Sequence, residues 1–184
     1  MPIMAQENNS TFEQPTPATH QAVCVFVHDI GLQPGDYQGK PRLSHKIIMA
    51  WQLAQKMTTG EYAGQPFLIT QFYTLSLSEK AKLRKDLEAW RGKAFTEAEL
   101  KGFDVESVIG ANCLLSIIAT ENGKRKVSGV MALPAGMPTI TPTLTEPSDK
   151  YIEWIERERS KQVLPEAVPE VLKTEAVDEE KTPF

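Results

Sequence analysis

The chain has 184 residues and a formal net charge of −4, with 41% apolar and 24% charged residues, the proportions of an ordinary soluble globular protein. No run of about 18 apolar residues occurs, which excludes a helical membrane span. Its three histidines (His20, His28, His45) have no cysteine or second histidine at ligand spacing, so neither metal nor other cofactor is expected.

Residues 1–20 are rich in Asn, Gln, Thr and Pro and read as a disordered arm. They lack the basic start and apolar stretch of a signal peptide, so the expected location is the cytoplasm. The first strand is predicted over Gln21–Ile30, where β-branched residues abound. The Gly- and Pro-rich stretch from Gly31 to Pro41 reads as a long loop. A second strand follows over His45–Leu53, with Ile47, Met49, Trp51 and Leu53 on one apolar face. A loop over Thr58–Pro66 leads to a third strand, Phe67–Leu75.

Ser78 is the expected cap of a helix carrying Leu83, Leu87 and Trp90 at helical spacing, and Gly92 its stop. Thr96 and Glu99 have the spacing of a capping box for a second short helix. Trp90, Phe95 and Phe103 read as anchors that hold this helical insertion to the body. Strands four and five are predicted over Asn112–Thr120 and Lys126–Leu133, joined by a turn with Asn122-Gly123 at its centre. Cys24 and Cys113 each sit in an apolar strand run, which points to reduced, buried thiols. Past Pro134, the amphipathic Tyr151–Ile155 segment is expected to dock as a helix.

Three strands, a helical insertion and a two-strand hairpin match the element count of an OB-fold. Other small α+β folds share that count; the pattern favours a mainly β class, a β-barrel of OB type with its helices between strands three and four. The expected domain spans 21–160, with an acidic disordered tail over 161–184.

Charge is distributed unevenly. Residues 21–133 carry 14 Lys/Arg against 11 Asp/Glu, whereas 134–184 carry 6 against 11. A mildly basic body with an acidic tail suits a protein that meets nucleic acid. The tail ends in Asp178-Glu179-Glu180-Lys181-Thr182-Pro183-Phe184. Its acids keep it extended, and Phe184 offers an apolar ring and a terminal carboxylate on one free end.

That tip resembles the C-terminal tip of bacterial single-stranded-DNA-binding proteins, on Asp178, Glu179, Glu180, Pro183 and Phe184. Lys181-Thr182 departs from the acid-Ile of that pattern. The resemblance implies recruitment of replication or recombination proteins such as a polymerase, helicase or recombinase. In the body, Tyr73–Ala81 and Leu83–Lys93 are similar to a family of small bacteriophage proteins, a likeness that spans about residues 21–135. It implies an OB-fold single-stranded-DNA binder acting in DNA replication and recombination in a bacterial host.

Sequence-tolerant strand binding needs cations for phosphates and rings for bases. Lys40, Arg42 and Lys46 near strand two, and Lys124, Arg125 and Lys126 in the last hairpin, are the basic candidates. Tyr37, Tyr62, Phe72 and Tyr73 are the aromatic ones. Phe72 and Tyr73 face opposite ways, and Tyr73 shares its side with Phe67, Ile69 and Leu75, so Phe72 is the better stacker. Trp51 belongs with the core.

Catalysis finds little support. Gly31, Gly35 and Gly39 have the wrong spacing for a phosphate loop, and the His28-Asp29 pair has no nucleophile near it in sequence. The competing reading is a protein-interaction module, an inhibitor or adaptor of a host replication enzyme. No heptad pattern decides the oligomeric state, and homo-oligomers are compatible with the reading.

Overall fold

The computed structural model describes residues 12–163. Five strands form one antiparallel sheet in the order β3-β2-β1-β4-β5, made of β1 (Thr19–Tyr37), β2 (Lys40–Lys56), β3 (Pro66–Thr74), β4 (Asn112–Ala119) and β5 (Arg125–Ala132). Helices α1 (Lys82–Arg91) and α2 (Glu97–Lys101) and a 3-10 turn (Val105–Val108) lie between β3 and β4, and α3 (Asp149–Ser160) follows β5. The mainly β class and the helical insertion thus match the expectation. Edge strands β3 and β5 approach one another, but among the described residues no hydrogen-bonded ladder closes the sheet.

Strands one and two extend well past their predicted ends. The Gly31–Pro41 stretch is not a loop but the outer half of a hairpin. At its tip Gln38 (φ 53°) and Gly39 (φ 78°) both take left-handed backbone, the two-residue turn that matches strand twist. The Asp36 carboxylate accepts the Gly39 N–H at 2.8 Å. Pro34 is tolerated because β1 pairs with β4 only over Thr19–Val23, leaving Pro34 on an open edge. The β2–β3 ladder ends at Lys46–Thr74, so the hairpin beyond it is a two-stranded arm.

On one face of the sheet, Trp51, Met49, Ile47, Leu53 and Cys24 pack with Leu115, Val127 and Val130. Helix α1 seals this core with Leu83, Leu87 and Trp90. The Trp90 indole donates to the Asn112 carbonyl at 2.8 Å. Phe95 is buried and Phe103 packs beside it, with the Arg91 guanidinium over both rings, as the anchoring role requires. Both cysteines are free and buried in the core, and burial pushes the Cys24 thiol up to about 12.

Ser78 is not the cap of α1. Its N–H and hydroxyl are engaged with the Ser76 hydroxyl, and a turn closed by Ala81 N–H to the Ser78 carbonyl delays the helix to Lys82. Gly92 does end it, in left-handed backbone at φ 68°. The Thr96/Glu99 capping box is present. In the β4–β5 hairpin only Gly123 is left-handed. Thr120 and Lys124 close the loop by an N–H to carbonyl bond of 2.8 Å.

The opposite face of the sheet is covered as well. A bulge at Val25 puts Cys24 opposite Trp51 and Phe26 opposite Ala50, so Phe26 turns to the face away from Cys24. There Val23, Val25, Phe26 and Ala50 meet Leu68, Ile140 and Tyr151, while Ile30 and Ile48 meet Ile155 and Trp154. The covering chain is residues 138–163, a belt tied down by polar side chains. Asn112 exchanges two bonds with the Ile140 backbone. The buried Gln52 amide oxygen accepts from Thr143 and Leu144 N–H at 2.8 and 2.9 Å. Ser148 caps α3, and Val163 N–H reaches the Leu32 carbonyl at 2.8 Å. The predicted docking of Tyr151–Ile155 is borne out.

Residues 12–18, assigned to the N-terminal arm, are also fastened. The Glu13 carboxylate accepts N–H and hydroxyl bonds from both Thr58 and Thr59. Those bonds, led by the Thr59 N–H, hold its carboxyl below the usual carboxylate range.

Candidate nucleic-acid interface

Five of the six candidate cations fall into two groups at opposite ends of β1. Lys40 and Arg42 lie on the β1–β2 arm, where Lys40 pairs with Tyr37 and Arg42 with Gly35. Lys124, Arg125 and Lys126 lie in and after the β4–β5 turn, beyond the Thr19 end of β1. The two groups flank the sheet without adjoining. Arg125 is partly spoken for: its guanidinium donates to the Pro15 carbonyl at 2.7 Å and to the Gly123 carbonyl at 3.0 Å. Lys40, Lys124 and Lys126 are exposed. None of the three has an ion-pair partner among the described residues.

Three of the four aromatic candidates separate sharply; the side chain of Tyr37 lies outside what the structure describes. Tyr73 is 3% exposed and belongs to the inner core, with its hydroxyl donating to Asp86 at 2.7 Å. Its ring is out of reach of a base, a correction to its place among the candidate stackers. The alternation of β3 explains the outcome: Tyr73 pairs with inward-facing Ile47, and Phe72 with outward-facing Ile48. Phe72 is 39% exposed, and its ring meets Trp154 of α3 edge-on at 5.9 Å between centroids. Lys46 shares that outer face, one pair along at Thr74. Tyr62, 37% exposed, lines a cleft of about 510 Å³ with Phe26, Leu68, Leu144 and Lys150.

The tertiary structure therefore brings Lys46, Phe72 and Tyr62 onto one face, together with a helix whose sequence pattern points only to packing. Helix α3 crosses this face. Its N-terminal end stands at the Tyr62 cleft, and its C-terminal end is tied to the root of the arm. There the Gln33 amide donates to the Glu158 carbonyl at 3.1 Å, and Arg159 donates to the Asp29 carbonyl at 3.1 Å. Under α3, the rings of Phe26, His28 and Tyr151 pack at 5.6–6.0 Å. His28 Nε2 and the Tyr151 hydroxyl are buried without partners. Burial, helped by Arg159, lowers the affinity of His28 for a proton.

The tip residues Asp178, Glu179, Glu180, Pro183 and Phe184 lie outside the described residues, as do residues 1–11. Among the described residues no cluster of His, Cys, Asp or Glu could hold a metal ion. No helix among them is long and apolar enough to cross a membrane. No family model matches the chain, and no curated protein is significantly similar to it.

Proposed function

We propose that the protein binds single-stranded DNA along the outer face of β2 and β3, and recruits replication or recombination proteins through its acidic C-terminal tip. The observation that carries the first part is the shared face of Lys46, half-exposed Phe72 and Tyr62, between two hairpins bearing cations. Rings for bases and unpaired lysines for phosphates are what sequence-tolerant strand binding uses. The OB-fold reading belongs to the same proposal. It is supported by the central place of β1 between β2 and β4, by β3 and β5 as the edges, and by α1 between β3 and β4.

The test is fluorescence anisotropy with labelled oligo-dT across a salt series. Binding is expected to be saturable and to weaken with salt, because each neutralised phosphate contributes a slope of about 0.7 in log K against log salt. Replacing both Lys40 and Lys46 by alanine is expected to reduce that slope by about 1.4. A wild-type chain that ignores oligo-dT in dilute buffer overturns the reading in favour of a pure protein-interaction module.

The tail carries a separate prediction. Tethered near millimolar effective concentration, it competes with DNA for the basic face. Removing residues 175–184 is expected to tighten oligo-dT binding and abolish capture of a replication partner, while Phe184→Ala weakens only the capture. Unchanged DNA affinity after truncation would remove the competition.

A further inference from the structure

Helix α3 carries more than its buried side. Tyr151 and Ile155 face the sheet, whereas Lys150, Trp154 and Arg157 recur at spacings of four and three, which align them in one stripe along the helix. Lys150 and Arg157 are exposed and Trp154 is partly so. Among the described residues neither Lys150 nor Arg157 has an ion-pair partner. The next residue in the stripe, Lys161, is bonded to both Glu158 oxygens at 2.8 Å. Exposed Glu153 borders the stripe, three residues from Lys150 and four from Arg157, whereas Glu156 is paired with Arg159.

Trp154 is where this stripe meets the sheet. Its ring stands edge-on to Phe72 at 5.9 Å, one strand away from Ile48 and on the face that holds Lys46. The ring is not an isolated surface side chain: it also meets the Tyr151 ring at 5.6 Å and packs against the cluster of Ile30, Ile48 and Ile155, which together fix its position. A ring held by its neighbours yet partly open to solvent loses little freedom when a planar ligand stacks on it.

We infer that α3 supplies half of the strand-binding surface: single-stranded nucleic acid lies along Lys150, Trp154 and Arg157, with bases stacked on Trp154 and Phe72. The inference rests on the proposed function and deepens it. The strand runs from the Tyr62 cleft, which Lys150 also lines, to the root of the β1–β2 arm, where the C-terminal end of α3 is tied. Lys46 faces the strand from the β2 side. This gives α3 a binding role and makes the belt part of the site instead of a cover over it.

The three tryptophans provide the readout. Trp51 and Trp90 are buried, at 0% and 8% exposure, so quenching of emission by a stacked base reports Trp154 alone. Oligo-dT is expected to quench wild-type emission. Trp154→Phe abolishes the quenching while anisotropy still shows binding. Trp154→Ala weakens binding by about five- to 150-fold, the range for loss of one stacking ring.

Because alanine here also loosens α3, the decisive variant is K150Q/R157Q, which alters two exposed side chains. It is expected to bind less tightly and to lower the salt slope by about 1.4, with an unchanged circular dichroism spectrum. Wild type that binds oligo-dT by anisotropy with unquenched emission, together with full affinity in K150Q/R157Q, overturns the α3 surface and leaves the proposed function standing. Absence of wild-type binding overturns both.

Discussion

Trp51→Ala is expected to lower the unfolding free energy by about 3–5 kcal/mol, the range for emptying a large buried aromatic site. A typical domain holds only about 5–15 kcal/mol in total. Trp51 is fully buried on β2, where it pairs with Cys24 of β1 and Ile69 of β3. Its ring lies 6.5 Å from Tyr73 and 6.2 Å from Trp90 of α1. One side chain thus joins three strands and the helix that seals the core. Trp51→Phe should cost much less, because the ring contacts survive in part and the indole N–H, buried without a partner, is removed. Urea unfolding followed by circular dichroism measures both. An alanine variant within about 1 kcal/mol of wild type would contradict the seating of α1 against this ring.

The second large effect is expected at Ile155, 3% exposed between Ile30 and Ile48. Ile155→Ala should cost about 2–5 kcal/mol, but the loss falls first on the docking of α3 and not on the whole sheet. The belt has further anchors in Asn112 and Gln52, so the inner core survives. Hydrogen exchange should accelerate across residues 149–160 while the amides of β1 and β2 around Trp51 stay protected. This variant also separates two roles for the helix. If α3 only covered Phe26 and Phe72, loosening it would tighten oligo-dT binding. If Lys150, Trp154 and Arg157 lie on a strand's path, loosening it weakens binding.

The residues that define the β2–β3 face illustrate how much of the site was legible in the chain. Phe72 and Tyr73 are adjacent, and strand alternation alone sends one outward and one inward. The apolar company of Tyr73 said which. The α3 stripe was missed, although Lys150, Trp154 and Arg157 show the spacing of one helical face. The apolar side of that segment, Tyr151 and Ile155, suffices to predict docking. A second signal was also present in β2. Ile47 to Leu53 is apolar at every position but Gln52, the mark of a strand buried on both faces, and something therefore had to cover the outer one.

The expected element order, the helical insertion, the capping box at Thr96 and the stop at Gly92 were determined by the sequence alone. Each depends on contacts within a few residues, and backbone sterics and side-chain period write these directly into local order. The length of β1 and β2 was not readable, because Gly31, Pro34 and Gly35 break a strand locally and become tolerable only where β1 has left its second neighbouring strand, β4. The placement of α3 between the Tyr62 cleft and the arm was likewise decided by tertiary structure. It follows from pairings more than a hundred residues apart, such as Gln33 with Glu158 and Asp29 with Arg159, and no local pattern specifies which distant surface an amphipathic helix will meet.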